Sequence, residues 1–134
     1  MRAVVVACLT LAACGGTDQG NQCSTDSDCS GGEICARDEV CWPSDDVRAV
    51  KVTWTFAGQP ASAATCSATP NLFVYFSNDE ATFGFEPVPC AAGVFPIDRL
   101  ETEYTSVELG DELGSFDLYG AFDATGQAAF DIAP

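Results

Sequence analysis

The C-terminal part of the chain shows a regular alternation of apolar and polar positions. Within residues 49–56 every second side chain is large and apolar, and the positions between carry Ala, Lys or Thr. A period of two places the two sets on opposite faces of a strand, so this segment predicts a β-strand with one buried face. The large residues are Val50, Val52, Trp54 and Phe56.

Further short segments are also predicted to be β-strands. Residues 72–76 and 81–86 flank the turn-forming sequence Ser77-Asn78-Asp79-Glu80, which predicts a β-hairpin. Residues 94–97 contain Pro96, which favours an edge strand. The remaining predicted strands are 103–109, 116–122 and 128–132, with a compact turn at 123–126.

No segment gives a convincing amphipathic helix, and the best candidate, residues 97–104, is short enough for a single turn. Six or seven short strands separated by turns indicate a mainly β fold. We expect a small antiparallel, immunoglobulin-like β-sandwich over residues 48–134. Residues 42–47 form a polar linker with a proline in front of it.

The N-terminus has the features of a signal peptide. Met1-Arg2 gives a positive start, and residues 3–13 are an apolar run interrupted only by Thr10. This run is too short to span a bilayer as a helix but suits the core of a signal sequence. We therefore expect residues 1–13 to be a signal helix that is removed.

The end of this run, Leu11-Ala12-Ala13-Cys14-Gly15, resembles the lipobox of bacterial lipoproteins. The resemblance implies cleavage before Cys14 and attachment of a diacylglyceryl group to its thiol, which anchors the protein in the membrane. The next residue is Gly rather than the Asp that marks inner-membrane retention, which favours the outer membrane. Residues 14–22 are then a lipidated, glycine-rich flexible tether. The alternative is a secretory signal cleaved after Ala13, with Cys14 left free.

A cysteine-rich knuckle, residues 23–41, follows the tether. Almost nothing between its cysteines is apolar, so disulfides have to replace a hydrophobic core. The spacing lacks the Cys-x2-4-Cys pairs of zinc sites and the Cys-x-x-Cys of redox motifs. We therefore expect a disulfide-stapled segment. Its equally spaced cysteines are Cys23, Cys29, Cys35 and Cys41.

Four cysteines allow three pairings, and the sequence leaves them open. The interleaved pairing, Cys23 with Cys35 and Cys29 with Cys41, is favoured because it ties all three loops together. The pattern of Asp-Cys, Gly-x-x-Cys and a further Cys resembles a module of myxobacterial and related surface lipoproteins. It is also similar to the disulfide knots of EGF-like and Dickkopf-like domains. The resemblance implies a spacer or interaction module without catalytic residues.

Residues 52–66 resemble a second domain of myxobacterial lipoproteins, in which a Val-x-Trp-x-Phe strand leads to a Gln-Pro-Ala-x-x-Ala-x-x-Cys turn. There a second cysteine precedes a Gly-x-Phe strand, as Cys90 does here. The resemblance implies a carboxypeptidase-regulatory or transthyretin-like β-sandwich with no established chemistry. Cys66 and Cys90 are the only cysteines in this part of the chain, and we expect a disulfide between them.

Composition narrows the possible functions. The chain has 20 acidic and 5 basic residues, so it lacks the clustered Lys and Arg that bind nucleic acid. An anionic lipid surface would also repel its folded body. Histidine is absent, which removes the commonest general base and metal ligand. We therefore do not expect an enzyme, a bound metal or a cofactor.

The favoured hypothesis is a cell-envelope lipoprotein that presents a non-catalytic binding or structural module to an envelope protein or glycan. A hydrolase with paired carboxylates is less favoured, with Glu101 and Glu103, or Asp111 and Glu112, as nominal pairs.

A calcium-dependent adhesion module is a third hypothesis. Asp26 and Asp28 do not fit an EF-hand pattern and are interpreted as solvated loop carboxylates. The candidate calcium ligands are acidic residues of the predicted loops: Asp45, Asp46, Asp79, Glu80, Asp111 and Glu112.

A less favoured hypothesis is an aromatic platform on which a ligand stacks, because most aromatic side chains in so small a sandwich have to be core. Tyr75 and Tyr119 are the candidates, because each falls opposite the more apolar face of its strand.

Overall fold

The computed structural model of the protein describes residues 21–133. The predicted signal peptide (1–13), the lipidation site Cys14 and the tether up to residue 20 lie outside the described residues. Within them the chain forms strands and short 3₁₀ turns but no α-helix, which confirms the mainly β class. The strands are β1 (Glu33–Cys35), β2 (Cys41–Pro43), β3 (Val47–Phe56), β4 (Gln59–Pro60), β5 (Asn71–Ser77), β6 (Thr82–Pro89), β7 (Val94–Glu101), β8 (Ser106–Asp111), β9 (Asp117–Ala121) and β10 (Gln127–Ile132). Over this range no helix has the length and apolarity needed to cross a membrane.

The knuckle is a two-stranded antiparallel ladder of β1 and β2, preceded by a 3₁₀ turn at Asp26–Asp28. Its cysteines pair in the interleaved manner that the sequence favours, as Cys23–Cys35 and Cys29–Cys41. These four residues are also its apolar cluster, so the cross-links take the place of a core.

The knuckle is longer than the residue pattern indicates. The sequence predicts that Trp42 and Pro43 belong to a linker over 42–47, but in the structure they continue the β1–β2 ladder. Gln22, at the end of the predicted tether, forms an isolated bridge with Val40. These contacts are made by backbone groups, so the side-chain pattern gives no sign of them.

The first sheet of the sandwich is built around β3. β7 and β4 pair with it in antiparallel fashion, and β10 pairs with it in parallel. The parallel pair departs from the all-antiparallel expectation. Alternation along 128–132 predicts which face of β10 is buried, but it carries no information on the direction of the neighbouring strand.

The second sheet is fully antiparallel, in the spatial order β6, β5, β8, β9. The predicted hairpin is confirmed as β5–β6. Its turn is held by Asn78, whose side-chain oxygen accepts the N–H groups of Glu80 and Ala81. The helix candidate 97–104 instead forms the end of β7 and the turn after it.

The two sheets pack face to face around a single core, which confirms the sandwich. Trp54 from β3 and Phe76 from β5 are among its largest members, and both are almost fully buried. The Cys66–Cys90 disulfide forms as predicted and joins the loop before β5 to the turn after β6. Three disulfides are typical of a chain that folds in an oxidising or extracellular environment.

The knuckle contacts the sandwich through β7. The Nε and Nη2 atoms of Arg37 donate to the two carboxylate oxygens of Asp98, at 2.7 and 2.8 Å. Arg99 pairs with Asp26, and the backbone N–H of Arg37 donates to the carbonyl of Arg99 at 3.0 Å. The hydrogen bonds from the arginines lower the pKa of both carboxyls. Because exposed ion pairs contribute little energy, they orient the knuckle more than they stabilise it.

Candidate functional site

The outward surface of the second sheet carries aromatic and acidic side chains together. Leu72, Val74 and Phe76 of β5 point into the core, so the alternate residues Phe73 and Tyr75 point outward. The same alternation exposes residues on the three neighbouring strands. The resulting surface, the aromatic face, consists of Phe73, Tyr75, Gly84, Glu86, Glu108, Gly110, Asp117 and Tyr119.

Two glycines within strands explain how the rings lie on this surface. Tyr75 is paired with Gly84 across the sheet, and Phe73 with Gly110. A Cβ atom at Gly84 would overlap the Tyr75 ring, and one at Gly110 would overlap the Phe73 ring. Each ring therefore lies over a glycine. The two rings are stacked, with centroids 4.8 Å apart and planes 21° apart.

Carboxylates hold the tyrosine hydroxyls at both sides of the face. The hydroxyl of Tyr75 donates to Oε2 of Glu86 at 2.6 Å, and that of Tyr119 donates to Oδ2 of Asp117 at 2.7 Å. The hydrogen bond to Glu86 raises the pKa of Tyr75, and the bond to Asp117 raises the pKa of Tyr119 to about 12. Both phenols therefore remain neutral hydroxyls at pH 7.

Glu108 lies between the two tyrosines, paired in register with both Tyr75 and Tyr119. Its half-buried carboxyl has a raised pKa, first because of desolvation and then because of the neighbouring Asp117 carboxylate. Two acids this close repel each other when both are ionised. A cation bound beside them would relieve that repulsion.

An open groove of about 690 Å³ runs along one end of the face. Phe73, Tyr75, Glu86 and Asp117 line it together with Asp111 at the end of β8. Asp111 is only 2% exposed, and its Oδ2 atom has no hydrogen-bond partner among residues 21–133.

The other oxygen of Asp111, Oδ1, accepts the N–H of Ser115 at 2.6 Å and so fixes the loop between β8 and β9. Burial opposes ionisation of Asp111, but the hydrogen bonds from Ser115, together with those from the backbone of Phe116 and of Asp111 itself, outweigh it and lower the pKa of Asp111.

Basic residues are absent from the strands of the second sheet within the described residues. In the described part of the chain, every charged residue of the second-sheet strands is acidic: Glu86, Glu108, Asp111 and Asp117. The basic residues of the same range belong to the knuckle, β3 and β7: Arg37, Arg48, Lys51 and Arg99. The aromatic face is therefore uniformly negative at neutral pH.

The structure places both predicted platform residues, Tyr75 and Tyr119, on the aromatic face. Sequence reasoning missed Phe73, because it expected most aromatic side chains to be core, and it gave no role to the acids that flank the rings. Gly84 and Gly110 were the available signal, since a glycine inside a strand often marks the close approach of another group.

Of the nominal hydrolase pairs, Asp111 and Glu112 both line the groove, whereas Glu101 and Glu103 are not among its lining residues. Glu101 is buried, and its Oε1 accepts the backbone N–H of Glu103 at 2.7 Å while the side chain of Glu103 is exposed. Asp111 accepts the N–H of Ser115 in the loop between β8 and β9, and Glu112 is exposed.

The acidic residues predicted as calcium ligands do not lie together in one place. Asp79 and Glu80 follow the Ser77 end of β5, whereas Asp111 lies opposite Leu72 at the other end. In residues 21–133 the one trio of potential ligand atoms within 4.8 Å belongs to knuckle cysteines whose sulfurs are in disulfides.

Asp26 and Asp28, which the sequence indicates as solvated loop carboxylates, are exposed and in addition make defined hydrogen bonds. Asp28 accepts the N–H groups of Ser24 and Thr25, and Asp26 accepts the N–H of Cys35.

Comparisons with protein-family profiles, with curated proteins and with solved structures find no match to this chain.

Proposed function

We propose that this protein is a lipid-anchored component of the cell envelope that uses its β-sandwich as a non-catalytic binding module. The aromatic face of the second sheet is its binding surface. The resemblance of residues 11–15 to a lipobox supports an anchor on Cys14. The disulfides agree with this placement, since they require an oxidising compartment.

The observation that carries the binding role is the arrangement of Phe73 and Tyr75. A sandwich of this kind buries its large aromatic side chains between the sheets, as it does with Phe76. Phe73 and Tyr75 lie instead on the outer surface beside a groove, with Phe73 over Gly110 and Tyr75 over Gly84. Rings held on a surface by backbone geometry are preorganised for contact, so less conformational entropy is lost when a ligand binds.

The anchor is tested by cell fractionation. Cys14→Ser removes the lipidated thiol and is expected to move the protein from the membrane fraction to the soluble envelope fraction. Cys8→Ser is the matched control, because it changes another cysteine within the apolar run that is removed. Retention of Cys14→Ser in the membrane would contradict the anchor, and density separation of the membranes tests the outer-membrane assignment.

The binding role is tested by chemical crosslinking on intact cells, followed by capture of the protein and mass spectrometry. We expect partners that are crosslinked to the wild type and lost in Tyr75→Ala. Tyr75 is partly exposed and outside the core, so the sandwich should survive this change. A partner set that does not depend on Tyr75 would place the binding surface elsewhere.

A further inference from the structure

The arrangement of charges on the aromatic face restricts what it can bind. Glu86 lies on β6 at one side of the stacked rings, and Asp117 lies on β9 at the other. Each uses one carboxylate oxygen for a tyrosine hydroxyl, and both residues are exposed, so a ligand can reach both carboxylates. No strand of the second sheet supplies a basic residue that would neutralise them within residues 21–133. A ligand with positive groups at its two sides therefore complements the face.

The spacing of these acids matches an extended polypeptide. β6 and β9 are separated by β5 and β8, and adjacent strands lie about 4.8 Å apart, so the strands that carry the two carboxylates are about 14 Å apart. Side chains on one face of an extended chain recur about every 6.8 Å, so residues i and i+4 are also about 14 Å apart. The side chain at i+2 then lies above Phe73 and Tyr75.

Building on the binding role proposed above, we propose that the aromatic face binds a basic polypeptide segment lying extended across its strands. Lysine or arginine side chains at positions i and i+4 pair with Glu86 and Asp117, and the residue between them stacks on the Phe73 and Tyr75 rings. Ammonium and guanidinium groups are attracted both to carboxylates and to ring faces.

Two further features of the face support a cationic partner. The Oδ2 atom of buried Asp111, on the wall of the groove, has no hydrogen-bond donor among the described residues. Glu108 and Asp117 form a close pair of acids on adjacent strands. A positively charged ligand is attracted to the Asp111 carboxylate and relieves the repulsion between Glu108 and Asp117, whereas a neutral sugar supplies hydroxyl groups alone.

The test is fluorescence anisotropy with the full chain in a non-ionic detergent and a labelled peptide, Lys-Ser-Tyr-Ser-Lys. We expect saturable binding that weakens as salt is added. The double variant E86Q/D117N, which keeps the side-chain shapes, should lower the affinity at least about tenfold. Its matched control is D45N/E80Q, which removes the same charge from exposed sites away from the face and should change the affinity less than about twofold. The same peptide composition with adjacent lysines, Lys-Lys-Tyr-Ser-Ser, should bind several-fold more weakly.

Equal losses in the two double variants would overturn the proposal, because the attraction would then be that of net charge alone. Equal affinity for both peptides would overturn the two-point spacing. Binding of a neutral oligosaccharide in place of the peptide, lost in Tyr75→Ala, would overturn the basic partner but leave the binding role intact. Absence of peptide binding together with absence of any Tyr75-dependent crosslinked partner would overturn both.

Discussion

The indole N–H of Trp54 donates a 2.8 Å hydrogen bond to the carbonyl oxygen of Cys90. Both residues are almost fully buried, and the bond joins the central strand of the first sheet to the cross-linked turn after β6. Trp54→Phe keeps most of the apolar volume but removes this bond, so the Cys90 carbonyl keeps only the longer bond that the Gly93 N–H donates at 3.2 Å. A hydrogen bond between neutral groups contributes about 0.5–1.5 kcal/mol net, and we expect the free energy of unfolding to fall by roughly this amount.

Urea unfolding followed by circular dichroism measures this change without relying on tryptophan emission. Trp42→Phe is the control, since Trp42 is half-buried in the knuckle and donates to Asp38 at 3.1 Å. It should lower the unfolding midpoint less. An equal effect of both substitutions would contradict the role assigned to the Trp54 bond.

The Cys66–Cys90 disulfide is expected to be a large part of the stability of the sandwich. It closes a loop with a sequence separation of 24 residues, for which chain-entropy arguments give about 3 kcal/mol. Replacing both cysteines by alanine should lower the free energy of unfolding by about that amount. The double alanine variant of Cys29 and Cys41 removes a knuckle disulfide instead and should affect the sandwich transition less; the reverse order would contradict the prediction.

A buried carboxyl at the end of β7 should make stability depend on pH. Burial raises the pKa of Glu101, and the charges of Glu103 and Asp38 add to the rise. In the unfolded chain this carboxyl titrates near 4.5. The stability it contributes is therefore complete below about pH 4.5 and is lost as the pH rises through the higher folded pKa.

Glu101→Gln should consequently raise the melting temperature at pH 7, while near pH 4 the two proteins should differ much less. The amide oxygen can still accept the N–H of Glu103, so the main hydrogen bond is kept. Calorimetry between pH 4 and 8 measures the difference, with the exposed Glu80→Gln as control. A variant that is less stable than the wild type at pH 7 would show that the ionised carboxylate is stabilising.

The packing of Tyr75 over Gly84 can be tested by a double-mutant cycle. Gly84→Ala alone should destabilise the protein, because the new Cβ forces the Tyr75 ring off the sheet. In a Tyr75→Ala background the same change should be neutral or stabilising, since alanine suits a strand better than glycine once the space is free. The coupling energy from urea unfolding is expected to be about 1 kcal/mol or more, and additive effects would contradict the ring position.

The sandwich was predictable because its core follows a local rule. Alternation along 49–56 reports which side chains are buried, and the structure confirms it for Val50, Val52 and Trp54. Which strands become neighbours depends on contacts between distant segments, so the parallel β3–β10 pair had no local signal. The same reason hid the aromatic face, because Glu86, Phe73 and Asp117 become neighbours only when β6, β5, β8 and β9 assemble.

The pairing of β10 with β3 has a consequence for the order of events as the chain is made. The hydroxyl of Thr53 contacts the carbonyl of Ala128 across a sequence separation of 75 residues. The knuckle disulfides, by contrast, each span 12 residues. As the chain emerges from its N-terminus, the knuckle can close early and locally, whereas closing the long loop is entropically slow. Until residues 127–132 have been synthesised, one edge of β3 is unpaired and can pair with a strand of another chain. Pairing with β10 covers that edge and so protects the folding intermediate from aggregation.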